Sequence, residues 1–190
     1  MYVLPAIHAF PFPLLSGSFD NMARIRVQFI HGLEGSPQGT KARLFAEHFD
    51  ACTPAMDTSD FQGCVELHAR KLSEFQPDVL VGSSFGGAVA VALLHRKAWA
   101  GPTLLLAPAV FHYDVPRFLP EGVPVWIVHG LRDTVVRIED SRALAQTGTP
   151  ALVRLIEVDD DHALSATVAR SELVDIVRRL AAQHGKTNET

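Results

Sequence analysis

Three side chains in this sequence have the types and the order that acyl transfer requires: Ser84, then Asp133, then His162. Ser84 is the centre of Gly82-Ser83-Ser84-Phe85-Gly86, which follows the apolar run Val79-Leu80-Val81 and precedes Ala88-Val89-Ala90-Val91-Ala92-Leu93-Leu94. A G-x-S-x-G written across a strand-to-helix turn lifts one hydroxyl above a sheet and aims a helix N-terminus at the atom under attack. The residues two before and two after the serine must be small where the turn folds back on itself, and Gly82 and Gly86 meet that need. Alone the pentapeptide is a weak signal, because glycine- and serine-rich turns join strands to helices in many proteins. Its weight comes from its partners.

A serine hydroxyl is a poor nucleophile near neutral pH and needs a base to take its proton and an acid to orient that base. Asp133 lies in His129-Gly130-Leu131-Arg132-Asp133, after the strand-like run Val123 to Val128. His162 ends Asp159-Asp160-Asp161-His162, after a second run from Leu152 to Val158. Separately, Asp133 reads as a helix cap and His162 as an exposed loop residue beside three acids. Together with Ser84 they occupy loops after successive sheet elements, which favours a triad. Asp140 and Glu157 are poorer acids, since one belongs to a helix and the other to a strand. An oxyanion formed at Ser84 needs backbone donors. The expected pair is the amide of Phe85, directly after the nucleophile, and that of Leu33 in the loop after the first strand; Glu34 beside it reads as a solvated carboxylate.

These loops need elements to hold them. Arg24 to Ile30 reads as a strand and Thr40 to Phe49 as a helix. Ala51-Cys52-Thr53 is a short strand, and Ser59-Asp60-Phe61-Gln62 is a capping-box signature opening a helix with Phe61, Cys64, Val65, His68, Leu72 and Phe75 on one face. His68 on that face reads as a satisfied core histidine. After the central helix come the strand Thr103 to Ala107, the strand Val123 to Val128, a helix from Ile138 to Gln146, the strand Leu152 to Val158, and a last helix capped by Ser171. That last helix turns Leu173, Val174, Val177, Leu180 and Ala181 inward. Strands alternating with helices imply a mostly parallel sheet covered on both faces, a three-layer α/β/α sandwich with its site at the carboxyl ends of the strands.

Length, composition and charge narrow the field. The 190 residues, 47% hydrophobic and 20% charged, suit one soluble domain with its own core. The expected division is an extension at 1–23, one domain at 24–184 and a polar tail at 185–190. A formal charge of -4 and pI ≈ 6.1, with no Lys/Arg cluster, argue against nucleic-acid and anionic-membrane partners. No apolar run approaches the roughly 20 residues that span a bilayer. The first 21 residues are apolar and proline-interrupted, without the basic start of a signal peptide, so a cytoplasmic setting is expected. Cys52 and Cys64 lack metal or redox spacing and read as buried free thiols. Gly35-Ser36-Pro37-Gln38-Gly39-Thr40-Lys41 fails the phosphate-binding P-loop pattern, which needs adjacent Gly-Lys before Ser/Thr. Asp159 to His162 offers no second histidine at ligand spacing, so neither metal nor cofactor is expected.

The chain resembles the α/β-hydrolase superfamily, and most of all its short, lidless bacterial esterases. The resemblance rests on His31-Gly32-x-x-x-Ser36-Pro37, on Gly82-Ser83-Ser84-x-Gly86-Gly87, and on Pro108-Ala109-Val110 after the next strand; it runs from about Arg24 to Ala182. It implies a six-stranded sheet in the order 2-1-3-4-5-6 and the triad Ser84, Asp133 and His162. Two departures stand out: an acid loop closer to mainstream hydrolases, and a histidine that follows an acidic triplet. Only Phe111 to Gly122 fills the place where lidded members insert a cap. From it Phe111, Tyr113 and Phe118 are expected to wall a small pocket.

The expected activity is hydrolysis of carboxylic esters of small or modest-sized soluble compounds. A thioesterase, amidase or peptidase would use the same triad, and a non-catalytic binding protein on the same fold is the alternative from another class. Substrate, pathway and oligomeric state are not written in these motifs.

Overall fold

Residues 24–185 are described by a computed structural model. The extension expected at 1–23 and residues 186–190 lie outside them. Six strands, β1 (Arg26–Ile30), β2 (Asp50–Cys52), β3 (Val79–Ser83), β4 (Thr103–Leu106), β5 (Val125–Gly130) and β6 (Val153–Val158), form one sheet in the order β2-β1-β3-β4-β5-β6. Every neighbouring pair is parallel. The strand order is the one the resemblance implies.

Because side chains alternate across a strand, each strand feeds two cores. Phe29, Val81, Leu104, Leu106, Trp126 and Val128 face α1 (Thr40–His48) and α6 (Glu172–Gly185), meeting Phe45, Leu173, Val177 and Leu180. Ile30, Leu80, Leu105 and Ile127 face the other way, onto α2 (Phe61–Phe75), α3 (Phe85–His95) and α4 (Ile138–Ala145). Burial on both faces is why these strands read as continuous apolar runs. Helix α3 lies over the middle of the sheet and is buried from Phe85 to Leu94, which accounts for its lack of a polar stripe.

Three local expectations need correction, and one short helix was not foreseen. Helix α2 is capped by Asp60, whose Oδ1 accepts from the Gly63 amide at 2.9 Å, while Ser59 is turned back to Asp57. The capping box is thus set one residue late. Cys64 is buried and donates to the Asp57 carbonyl at 3.1 Å, whereas Cys52, on the short edge strand, is half-buried. A short helix, α5 (Ser165–Ala169), precedes α6 in a stretch to which the sequence pattern assigned no element, and α6 runs through Gly185, where a polar tail was expected to begin.

His68 is fully buried. Its Nδ1 accepts from Gln28 Nε2 at 3.1 Å and its Nε2 meets Met56 Sδ at 3.4 Å, while burial, with the nearby His31 adding to it, lowers its pKa to about 4. It is a neutral core residue. Among the described residues no helix is long and apolar enough to cross a membrane.

Candidate active site

The elbow is where the sequence places it, and the backbone there is held in a form most residues avoid. Ser84 has φ 53° and ψ −114°, between the end of β3 and the start of α3. A side chain forced into such a region costs on the order of 1–3 kcal/mol, which the surrounding packing must sustain. A Cβ on Gly86 would collide with the Ile30 carbonyl oxygen, so only glycine lets α3 start this close to β1. The Ser84 amide donates to Leu106 O at 2.8 Å, and its carbonyl accepts from Gly87 at 2.9 Å and Ala109 at 3.0 Å. The turn is fixed by its backbone, leaving the hydroxyl free.

Ser84, His162 and Asp133 meet at the carboxyl ends of β3, β6 and β5. Ser84 Oγ lies 3.1 Å from His162 Nε2, and His162 Nδ1 lies 2.7 Å from Asp133 Oδ2. The carboxylate can only accept, so the imidazole proton sits on Nδ1 and the Nε2 lone pair faces the serine hydroxyl. Asp133 Oδ1 accepts from the Val135 and Val136 amides at 2.8 and 2.9 Å. Burial pushes this carboxyl up, but the bond from His162 and the two amides together outweigh it and hold it below the usual range. Asp133 caps no helix: Val135 and Val136 precede α4, whose N-cap is Arg137, so Oδ1 holds the loop turn while Oδ2 faces His162.

A second histidine, absent from the sequence expectations, completes the acid's surroundings. His129 at the end of β5 is fully buried. Its Nε2 points between Val136 O at 3.0 Å and Asp133 Oδ2 at 3.2 Å, and its Nδ1 accepts from Ser141 Oγ at 2.7 Å. Burial lowers its pKa, so it stays neutral and donates from Nε2. The only sequence signal was a histidine four residues before the candidate acid. His129 is a positioning residue. Replacing it with Leu should cost about 1–3 kcal/mol for each polar group left without a partner, and lower kcat by more than one order of magnitude through a misplaced Asp133. His129→Gln, which keeps an N–H, should recover most of the rate. Denaturant titration and steady-state kinetics on the two variants check this.

The acidic triplet is the anchor of the histidine loop. Asp159 pairs with Arg132. Asp160, 2% exposed, accepts from Thr167 N at 2.8 Å, Thr167 Oγ1 at 2.7 Å and the Asp161 amide at 2.9 Å. Asp161 bonds Ser165, at the start of α5. Across the gap, Leu131 N donates to Val158 O at 2.7 Å and Arg132 N to Asp160 O at 2.9 Å. A Cβ on Gly130 would strike the carbonyls of Asp160 and Asp161, so the two loops touch backbone to backbone.

Burial works to raise the Asp160 pKa, but its donors, Thr167 foremost, overcome that and set it at about 2. The ordinary aspartate value is about 3.9, so the folded-state value is depressed and the stabilisation is complete above roughly pH 4. It fades as pH falls through about 2. Urea melts of the native chain and Asp160→Asn should therefore differ at pH 6 and converge towards pH 2.

The cleft over Ser84 has a volume of about 390 Å³ and is lined by Leu33, Glu34, Lys41, Val135, His162 and Ala163 among others. Leu33 is at its rim, 53% exposed, and Gly32 O is occupied by Gly35 N and His31 Nδ1. The Phe85 amide begins α3, where helical amides have no intrahelical acceptor. The expected aromatic wall needs correcting. Tyr113 stacks on Phe61 and meets Phe85 edge-on behind the elbow, and Phe111 packs on the core under Arg117. Phe118 lies against His95 at the far end of α3, an eleven-residue helix and so about 16 Å along. None of the three lines the cleft. Between β4 and β5 there is one short 3-10 turn (Val110–His112) and no inserted cap. Among the described residues no group of three or more His, Cys, Asp or Glu could hold a metal ion.

Comparison with known proteins agrees with this architecture. The profile of the family described as "Uncharacterised protein family (UPF0227)" matches residues 26–122, which includes the elbow but neither Asp133 nor His162. No curated protein matches. Among solved structures, a protein assigned to the hydrolases of the alpha/beta superfamily from Xanthomonas campestris pv. campestris is 23% identical with TM-score 0.64, over 87% of this chain and 99% of that one. The esterase domain of a Rhodothermus marinus protein is 16% identical with TM-score 0.64, covering 87% and 89%. The esterase RhEst1 from Rhodococcus sp. ECU1013 is 14% identical with TM-score 0.65, covering 85% and 91%. At such identities the likeness is one of fold, and the fold is that of the α/β hydrolases.

Proposed function

The chain belongs to uncharacterised protein family UPF0227, and from that premise and the arrangement around Ser84 we propose a serine hydrolase that cleaves carboxylic esters of small or modest-sized compounds. One observation carries the reading: the continuous line of hydrogen bonds from Ser84 Oγ through His162 to a carboxylate with donors on both oxygens. A solvated loop histidine would have no such partner on each nitrogen.

The chemistry follows from that line. Ser84 Oγ attacks the ester carbon as His162 Nε2 takes its proton, and the new imidazolium is stabilised by Asp133, which stays ionised. The carbonyl oxygen becomes an oxyanion facing the Phe85 and Leu33 amides, where preorganised donors are worth more than water. Collapse expels the alkoxide, which takes the proton from His162, and leaves an acyl-serine. Water then attacks it with His162 as base again, releasing the acid and restoring the hydroxyl. No step calls for a group the chain does not itself supply. The absence of an inserted cap, with the cleft open at Leu33 and Val135, favours short acyl groups over long lipid chains.

Incubation with a fluorophosphonate, read by intact mass, tests the reading. One adduct on the native chain and none on Ser84→Ala is the expected result. An unlabelled native chain would overturn it.

A further inference from the structure

The cleft over Ser84 opens into a second cavity of about 390 Å³ that shares Gly32, Glu34, Gly35, Lys41, Ser83 and Ala163 with it. Apolar side chains such as Phe29, Ala42 and Val168 make part of its wall, and a few polar groups converge on it. Lys41, in the first turn of α1, is half-buried there. No carboxylate among the described residues lies within ion-pair distance of its ammonium, because its acidic neighbours are engaged elsewhere: Asp160 with Thr167 and Asp161 with Ser165. Glu34 lies on the exposed loop at the mouth. Burial works to lower the Lys41 pKa while the charges of Asp161 and Asp160 oppose it. Beside it, α1 starts at Gly39 with no side-chain cap, so the first turn turns unanswered amides to the same space. His31, 4% exposed, also lines this cavity; its Nδ1 donates to Gly32 O at 2.8 Å, and its buried Nε2 has no partner.

An unpaired ammonium and an uncapped helix start form a receptor for an anion, while the lone pair on His31 Nε2 is an acceptor open to a donor group on the same ligand. We propose that this cavity takes a carboxylate of the substrate, bound by Lys41, so that the esters turned over best are acidic ones. Lys41 then determines specificity. It holds the remote end of the molecule and so fixes where the ester carbonyl meets Ser84. This substrate class rests on the hydrolase reading; the anion site itself does not.

The probes are monomethyl adipate and its neutral isostere, the methyl ester of adipic acid monoamide, titrated by ligand-detected NMR. Ser84→Ala is the host, so that neither probe is cleaved. The acid should bind about tenfold more tightly than the amide, as a charge-assisted contact requires. Adding Lys41→Met should bring the two affinities together, and adding Lys41→Arg should restore the gap. Equal binding of acid and amide to Ser84→Ala overturns the proposal, and needs no lysine variant that might misfold. A gap that survives Lys41→Met in a variant with a native melting curve overturns it too. Fluorophosphonate labelling separates the two readings. A chain that binds the acid through Lys41 without being labelled keeps its anion site and loses the hydrolase reading, whereas a labelled chain blind to the charge does the reverse.

Discussion

Ser84→Ala is expected to lower kcat on a good ester by about 10⁶-fold while leaving the melting curve close to native. The two halves of that result have different sources. The turn is fixed by the backbone bonds of Ser84 to Leu106, Gly87 and Ala109, none of which uses the hydroxyl, so Ala can occupy the same strained position. The rate, in contrast, depends wholly on an oxygen that can form and release an acyl bond. The residual rate should come from the oxyanion amides acting on water. Steady-state kinetics with a chromogenic acetate ester, beside thermal unfolding, checks both halves. A variant that kept near-native turnover would mean that Ser84 is not the nucleophile.

Asp133→Asn should cost about 10⁴ in kcat by changing which nitrogen of His162 carries the proton. In the native arrangement Asp133 Oδ2 accepts from His162 Nδ1 and faces His129 Nε2 as well. An Asn at this site keeps one oxygen, and the Val135 and Val136 amides already claim an oxygen at Oδ1. Its NH₂ group is then driven towards His162, which must present a lone pair at Nδ1 and a proton at Nε2. That proton points at Ser84 Oγ and leaves it without a base. The same NH₂ opposes His129 Nε2–H, so a stability loss of about 1–3 kcal/mol should accompany the rate loss. The expected signature is a collapse of kcat with KM little changed, alongside a lower denaturant midpoint. Near-native kcat in Asp133→Asn would remove the aspartate from its assigned role.

Ser84, Asp133 and His162 were legible in the sequence because each lies just past an apolar run, and the order of loops along the chain maps directly onto the carboxyl edge of a parallel sheet. The sheet order came instead from the resemblance to the α/β hydrolases, since alternating strands and helices imply only a parallel sheet. What stayed hidden depends on where a chain turns after leaving the sheet. Phe118 belongs to a segment read as a pocket wall, but that segment runs along α3 to His95, a direction that no local pattern encodes. His129 holds Asp133 through Val136 O and Ser141, partners that converge only once the following loop has folded back. The acidic triplet looked like an oddity beside the histidine, since its donors at Arg132, Ser165 and Thr167 come from another loop and from a five-residue helix too short to announce itself. Lys41 was weighed only as part of a failed phosphate loop. Its place by the cleft depends on how the chain from Gly32 to Gly39 turns before α1 begins, which no local pattern encodes.

The backbone contact between the Gly130 loop and the Asp160 loop bears on how such a chain can grow. Each of these loops is the template against which the other is measured, so an insertion in either would shift Asp133 and His162 together. Their lengths are fixed as a pair. The part of the β4 to β5 connection beyond the 3-10 turn is under no such constraint, because it makes no bond to the Ser84 turn and none of its side chains lines the cleft. It is the place where extra residues, even a whole cap, can be added without retuning the serine, and so the natural point at which to graft a new selectivity.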